Sequence, residues 1–145
     1  MSRLPIIKEP DPLLRQKASK IKEITPEIKE LILDMEKAMK EYKGVGIAAP
    51  QIGESIQLCL ISTDKGILAL INPLILWKSL RNETEEEGCL SCPGASIAVN
   101  RSIIIYIKAL NQNGKLIIFR AKDLFARVIQ HEVDHLNGIL IIDKK

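Results

Sequence analysis

Cysteine is scarce in this sequence, and its number is odd. The 145 residues include three cysteines, which cannot all pair within one chain, so a framework of disulfides is not expected. Such usage is typical of proteins that fold in a reducing compartment. We therefore predict a cytoplasmic protein without structural disulfides.

The chain also lacks a long apolar run. The longest apolar stretch, from Ile67 to Trp77, is interrupted by Asn72-Pro73 and is too short to span a bilayer. The segment Met1 to Lys8 has no extended apolar core of the kind found in secretory signals. We expect no membrane partner.

Aromatic side chains make up only 3% of the residues. The net charge of +3 is mildly basic, but no basic segment interleaved with aromatic residues stands out, and we expect no specific nucleic-acid binding. A content of 46% hydrophobic and 27% charged residues fits a globular protein. The length predicts a single domain over residues 1–145.

What the sequence does contain is a segment that holds both of its histidines. His131 and His135 are separated by four positions, which places two side chains on one face of a helix. Leu124 and Val128 continue the same stripe. We predict a helix from about Asp123 to Leu136 with both imidazoles pointing inward.

Two inward imidazoles need partners, and a shared metal ion supplies one to each. Glu132 follows the first histidine in a His-Glu-x-x-His pattern, in which the glutamate is suited to act as a general base. A catalytic site of this kind needs a third protein ligand and leaves one position open. No Glu or His follows His135, so the third ligand is expected upstream, and cysteine is the natural candidate.

The three cysteines differ in their surroundings. Cys59 lies within the apolar segment 56–61 and is expected to be a buried core residue. Cys89 and Cys92 form a C-x-x-C pair, which with both histidines could make a closed Cys2His2 structural zinc site. That alternative leaves Glu132 without a function. The residues alone leave the choice between one cysteine and two open.

Other patterns predict an α+β fold, with antiparallel strands surrounding the metal-binding HExxH helix at the centre. A short helix is expected over 11–19, and a longer one from Pro26, capped by Thr25, to the stop at Gly44. The predicted strands are Ile56–Ser62, Gly66–Asn72, Leu74–Leu80, Ile103–Leu110 and Lys115–Ala121, the last two joined at Asn113-Gly114. Most of the acidic run Glu83 to Glu87 is expected to be a solvated loop, and Ile139–Ile142 a closing strand or core packing.

Three separated segments carry a resemblance to a known family. They are Gly44-Val45-Gly46-Ile47-Ala48-Ala49-Pro50-Gln51, Glu87-Gly88-Cys89-Leu90-Ser91 and the helix segment Gln130 to Gly138. Together they closely resemble the peptide deformylase family, which carries GxGxAAPQ, EGCLS and QHExDHLxG segments in this order. The resemblance extends from about Pro10 to Asp143.

The resemblance implies hydrolytic removal of the formyl group from the N-terminal formyl-methionine of nascent chains. It implies Cys89, His131 and His135 as metal ligands, with Fe2+ as the native metal. The residues themselves do not distinguish Fe2+ from Zn2+, Ni2+ or Co2+, any of which can occupy such a site in purified protein. An HExxH peptidase is a further alternative, against which the missing downstream ligand argues.

The resemblance also implies roles around the metal. Glu132 is expected to act as general base and then as general acid. The side-chain amide of Gln51 and the backbone N–H of Leu90 are expected to stabilise the oxyanion formed when the formyl carbon is attacked.

Substrate binding is expected along the first of the three segments. The resemblance implies that the peptide adds as a strand beside Gly44 to Gly46, where Gly44 and Gly46 allow close approach of its backbone. Val45, Leu124 and Val128 are expected to line a pocket for the methionine side chain. The alternative for these three is an ordinary core position.

Four polar residues are candidates for orienting the ligands. Gln130 and Asp134 flank the histidines. Arg101 matches an arginine that the family carries after the cysteine segment. We predict that Arg101 pairs with Glu87 and holds the Cys89 segment against the helix.

Two features depart from the family pattern. Cys92 stands where the family usually has an aliphatic residue, so its thiol could compete for the metal, form an oxidative link with Cys89, or simply pack. The chain stops soon after Asp143, whereas many members continue into a C-terminal helix that in some docks on the ribosome. The expected partners are therefore formyl-methionyl nascent peptides, with the ribosome a weaker expectation.

Overall fold

The structure is a computed structural model that describes residues 5–144. Within this range helix α1 spans Pro26–Glu41 and helix α2 spans Asp123–Leu136. The strands are β1 (Gly46–Ala48), β2 (Leu58–Thr63), β3 (Gly66–Lys78), β4 (Asn82–Cys89), β5 (Cys92–Ser102), β6 (Ile104–Leu110) and β7 (Leu116–Lys122). Short 3-10 helices cover Pro12–Arg15, Ala49–Ile52 and Ile141–Lys144.

The strands form two antiparallel sheets. Five of them pair in the order β1-β2-β3-β6-β7, and β4 pairs with β5 in a separate hairpin. This mixture of helices and antiparallel sheets confirms the α+β class. None of the helices within residues 5–144 combines the length and apolar character needed to cross a membrane.

The larger sheet carries one helix on each face. In β2, Cys59 and Ile61 face the cluster around α2, whereas Leu58 and Leu60 face the cluster around α1, as expected from the alternation of side chains along a strand. Helix α2 also contacts β5. It therefore lies against strands of both sheets, which is what brings its histidines near the β4–β5 hairpin.

The two longer predicted helices are confirmed. The Oγ1 of Thr25 accepts a hydrogen bond from the N–H of Ile28 at the start of α1, as the sequence predicts for an N-cap. Helix α2 has the predicted bounds, and Gly138 lies just past its end with φ 76°. A left-handed residue at this place is a common helix stop.

The predicted helix over 11–19 is much shorter. Asp11 accepts a hydrogen bond from the N–H of Leu13 as predicted for a cap, but the helix is a single 3-10 turn ending at Arg15. Beyond it the chain is extended because the N–H groups of Ala18 and Ser19 bond to other segments, the end of α2 and residue 55.

The division of β3 into two strands at Asn72-Pro73 is wrong. Asn72 adopts a left-handed conformation with φ 53°, and its side chain bonds to both the N–H and the C=O of Ile21 at 2.8 Å. The pairing with β6 shifts register between Ile71 and Leu74. A bulge thus accommodates the proline inside a continuous strand.

The acidic run Glu83 to Glu87 is not a loop but part of β4, and its partner β5 was not predicted. Glutamate has low strand propensity, but pairing along Cys92–Ser102 overrides it. Most of the glutamates point to solvent, and Glu87 is buried. At the other end of the chain Leu140 and Ile141 are buried, so segment 139–142 is core packing rather than a strand.

Candidate metal centre

Three predicted ligands converge at one point. Cys89 ends strand β4, and His131 and His135 occupy successive turns of helix α2. Their ligand atoms all lie within 4.8 Å of one another. The Sγ of Cys89 is 3.3 Å from the Nε2 of His135, and the two imidazole centroids are 5.1 Å apart. The structure therefore brings together all three residues predicted to hold a metal.

The chemistry of this donor set fits a transition-metal ion. One thiolate and two imidazoles suit Fe2+, Zn2+, Ni2+ or Co2+. The Nδ1 of His131 lies 2.8 Å from the Oε1 of Glu87, and such a bond turns the Nε2 of a metal-binding histidine toward the metal. Within residues 5–144, Glu132 Oε1 is buried without a hydrogen-bond partner, which is costly and fits a site that takes up a further polar group.

The two imidazoles of the cluster differ in their affinity for a proton. Burial alone would lower the pKa of His131, but the charge of Glu132 and hydrogen bonding to Cys89 outweigh it and raise the pKa to about 10. Burial and the charge of His131 lower the pKa of His135 to about 3. Burial raises the pKa of Glu132 to about 7. Of the two imidazoles, His131 is therefore the one that carries a proton.

Cys92 stays outside this cluster. It faces Cys89 across the β4–β5 hairpin but packs in a core with Leu14, Val99 and Leu140. Burial raises the pKa of its thiol to about 11. The group of potential ligands found within residues 5–144 contains Cys89 and not Cys92, so the arrangement does not match the closed Cys2His2 alternative. Cys59 is fully buried in the core, as predicted.

A buried ionic network supports the ligands. Glu87 accepts hydrogen bonds from Nε and Nη2 of Arg101, at 2.7 and 3.0 Å, so the predicted pair is present. Arg101 also donates to Asp134 at 2.8 Å. Burial opposes the charge on Glu87, but its bonds to His131 and Arg101 hold the pKa of its carboxyl well below the usual range. Gln130 donates to the carbonyls of Ser102 and Ala126. No side-chain hydrogen bond from it to either histidine is found within residues 5–144, so its orienting role stays a prediction.

Sequence reasoning missed a second arginine in this network. Arg127 is 7% exposed, and its Nη1 donates to Glu87 at 2.6 Å. It also donates to the carbonyls of Val99 and Glu83, at 3.0 and 2.6 Å. Arg127 lies four residues before His131, which places both side chains on one helix face. This spacing is the sequence feature that could have indicated its role. Arg127 therefore ties both strands of the hairpin to helix α2.

The predicted oxyanion donors lie beside Cys89. The Oε1 of Gln51 accepts a hydrogen bond from the N–H of Ala48 at 2.9 Å. This bond directs Nε2 toward the Oγ of Ser91 at 3.2 Å and the Sγ of Cys89 at 3.7 Å. Ser91, another residue that sequence reasoning missed, is itself fixed by donating to the carbonyl of residue 7. Leu90 follows Cys89 in the hairpin turn and lines the same cleft.

A cleft of about 540 Å³ opens beside the cluster. Its lining includes all the predicted substrate residues, which are Gly44, Val45, Gly46, Leu124 and Val128. Val45 is 57% exposed and Leu124 is 65% exposed, so these two are not core residues. Val128 is buried behind them at 8%.

The lack of a side chain at Gly46 leaves room for Glu132 where β1 passes it. A Cβ added at Gly46 would lie 2.7 Å from Glu132 Oε2 and 3.0 Å from Val128 Cγ1, closer than side chains normally approach. Among the strands of residues 5–144, β1 pairs only with β2 and forms one edge of the sheet. Its free edge is therefore open to a further strand.

Comparisons with known proteins point to one family. Residues 3–145 match the family model described as Polypeptide deformylase. The peptide deformylase of Dictyoglomus thermophilum is 46% identical over 134 residues, which cover 92% of this chain and 87% of that protein. The one from Halothermothrix orenii is 44% identical, with 99% and 94% covered.

Solved structures agree with the sequence relatives. The crystal structure of peptide deformylase from Thermotoga maritima superposes with a TM-score of 0.96 at 39% identity, covering 99% of this chain and 98% of that one. A Met-Ala-Ser-bound class I type b peptide deformylase from Acinetobacter baumannii gives a TM-score of 0.94 at 30% identity, with 99% of each chain covered.

Proposed function

The chain belongs to the polypeptide deformylase family of hydrolases, and on this premise we propose that it removes the formyl group from the N-terminal formyl-methionine of newly made proteins, releasing formate. The observation that carries the proposal is the convergence of Cys89, His131 and His135 beside Glu132 at an open cleft. In this proposal residues 1–145 act as one catalytic domain in the cytoplasm, and contact with the ribosome stays a prediction.

Cys89, His131 and His135 would hold the metal, for which we propose Fe2+ as the native ion. Zn2+, Ni2+ or Co2+ suit the same donors and can take the site in purified protein. When bound, such an ion supplies Lewis acidity that lowers the pKa of a water molecule. Glu87, Arg101 and Asp134 hold the first histidine and the cysteine strand in register.

Glu132 moves the protons in this proposal. Its Oε1 is buried and has no hydrogen-bond partner among residues 5–144, while Oε2 lies beside Gly46 and within 4.0 Å of the Nε2 of His131. The carboxylate takes a proton from the attacking water and passes it to the leaving amine. Gln51 Nε2 and the N–H of Leu90 donate to the oxygen that becomes negatively charged.

The peptide would bind along the free edge of β1 by strand addition. The absence of a side chain at Gly44 and Gly46 leaves room for its backbone. Val45, Leu124 and Val128 line the cleft where a methionine side chain would lie. The Acinetobacter baumannii structure holds Met-Ala-Ser, and we propose that the corresponding cleft here takes peptides that begin with formyl-methionine.

Formate release from formyl-Met-Ala-Ser by anaerobically purified, iron-loaded protein tests this function. We expect stoichiometric formate and free Met-Ala-Ser, with no cleavage of an unformylated internal-peptide substrate. Protein that carries one metal per chain but releases no formate would contradict the proposal. Cleavage of the internal peptide would instead indicate the HExxH peptidase.

A further inference from the structure

Among residues 5–144, part of one face of the five-stranded sheet is covered by no helix. Helix α1 covers this face over β1, β2 and the first half of β3, where Leu58 and Ile71 belong to its core cluster. Beyond Ile71 the face continues across the end of β3, β6 and β7. In this part of the sheet, residues such as Ile105 and Ile107 point toward α2 and are buried. The residues that alternate with them point to the opposite face, and there they are exposed.

Two rows of cross-strand neighbours make up this bare surface, which we call the aromatic–basic face. The register places Trp77, Tyr106 and Arg120 side by side in one row, and Leu74, Lys108 and Ile118 in the next. All six side chains are exposed. Directly opposite residues in an antiparallel sheet share one face, so these six form a continuous patch.

The charge of the patch is of one sign. Strands β3, β6 and β7 contain no Asp or Glu in residues 66–78, 104–110 and 116–122. Lys108, Arg120 and Lys122 lie on the aromatic–basic face, whereas Lys78 pairs with Ile105 and belongs to the face that α2 covers. None of the three cations on the aromatic–basic face belongs to an ion pair formed within residues 5–144. A second copy placed face to face would bring like charges together, so the patch is suited to an anionic partner.

The two aromatic side chains favour a nucleic acid over an acidic polypeptide as the anionic partner. Trp77 and Tyr106 contact each other edge to face, with ring centroids 5.7 Å apart, and are 52% and 42% exposed. Exposed rings next to cations are what proteins use to bind single-stranded nucleic acids, because bases stack on the rings while phosphates meet the charges. An acidic polypeptide would use the charges but would gain nothing from stacking.

We propose that the aromatic–basic face binds single-stranded RNA without sequence preference, with bases stacked on Trp77 and Tyr106 and phosphates held by Lys108 and Arg120. This site is separate from the cleft, because none of the four residues lines it. Binding here therefore leaves the path of the formylated peptide open, and the inference does not depend on the hydrolytic activity.

Fluorescence anisotropy with labelled U12 and A12 RNA tests the proposal, and Trp77 supplies a second signal because it is the only tryptophan. We expect both RNAs to bind and to quench its fluorescence. Raising the salt from 50 to 200 mM should weaken binding about 20-fold if three phosphates are contacted. Trp77→Ala with Tyr106→Ala should weaken binding about tenfold for each ring removed.

Charge-reversal variants test whether RNA binds to this face or only responds to the net charge of the protein. Lys108→Glu with Arg120→Glu should abolish RNA binding, whereas Lys29→Glu with Lys37→Glu, the same charge change on exposed positions of α1, should retain most of it. Circular dichroism and thermal unfolding of each variant establish that it is folded.

Three results would overturn the proposal. One is equal loss of RNA binding in both charge-reversed variants. Another is binding of heparin or poly-glutamate as tight as that of RNA and unaffected by removal of Trp77 and Tyr106, which would indicate a surface for any polyanion. The third is a dimer in sedimentation that the Lys108→Glu and Arg120→Glu changes disrupt, which would assign the face to self-association.

Discussion

The Oε1 of Glu87 lies 2.8 Å from the Nδ1 of His131, and this contact joins strand β4 to helix α2. Because the ring donates through Nδ1, its Nε2 is the nitrogen left for a metal. Glu87 precedes Cys89 by two residues. The end of β4 therefore supplies the predicted ligand Cys89, and through Glu87 it also orients His131 of helix α2.

Arg127 is expected to matter as much as Arg101 for this arrangement. Arg127→Ala leaves the buried carboxylate of Glu87 with one guanidinium fewer, and breaking such a buried pair typically costs about 3–5 kcal/mol. We expect a lower unfolding temperature and a metal affinity reduced about 10- to 100-fold. Titration of the chelator-treated protein with Zn2+ or Co2+ measures the affinity. Arg127→Lys should restore part of it, and Arg81→Ala, at an exposed position, should change neither quantity.

Gly46→Ala is expected to displace the carboxylate of Glu132. The added methyl carbon would lie 2.7 Å from Oε2 and 3.0 Å from the Cγ of that glutamate. We predict a fall in kcat with little change in metal content. Gly88→Ala is the matched control, because its added carbon meets nothing nearer than 3.8 Å. Gly46→Ala protein that is as active as the unsubstituted protein would mean that the carboxylate does not need its present position.

Glu132→Gln should separate metal binding from turnover. The amide keeps the size of the side chain but cannot accept and pass on a proton, and loss of such a group typically lowers the rate by about 10²- to 10⁴-fold. Metal analysis by mass spectrometry should still find one ion per chain. Retention of full activity would remove Glu132 from the mechanism, and loss of the metal would make it a ligand.

The three thiols should differ in reactivity after the metal is removed with a chelator. Alkylation requires the thiolate. Burial raises the pKa of Cys59 well above its usual value, and burial with the nearby Cys89 raises the pKa of Cys92 to about 11. At pH 8 we expect labelling of Cys89 first, slow labelling of Cys92 and none at Cys59. The rate at Cys92 should keep rising up to pH 11, because the thiolate fraction grows until the pH passes the pKa. Peptide mapping that finds Cys59 labelled in folded protein would contradict this order.

The helix and its ligands were predictable because local chemistry specified them. The apolar stripe and the two histidines set the bounds of α2, and Thr25 with Pro26 set the start of α1. The resemblance identified Cys89 as the third ligand, which spacing alone had left open against Cys92. These features depend on residues close together in sequence or on a short motif.

The missed features depend on pairing and packing between separate elements of the fold. Strand β4 is an acidic run whose pairing with β5 overrides its low strand propensity. The role of Arg127 depends on Glu83, Glu87 and Val99, which lie in the hairpin at least 28 positions earlier in the sequence. The aromatic–basic face was invisible because Trp77, Tyr106 and Arg120 come from three strands that only the register brings together.

Locating the bound metal in a crystal tests the proposed metal site most directly. Anomalous diffraction from a crystal of iron- or zinc-loaded protein should place the ion on the Sγ of Cys89 and one nitrogen each of His131 and His135, with a fourth position free of protein atoms. An ion that also contacts the Sγ of Cys92, or one bound away from Cys89, would contradict it.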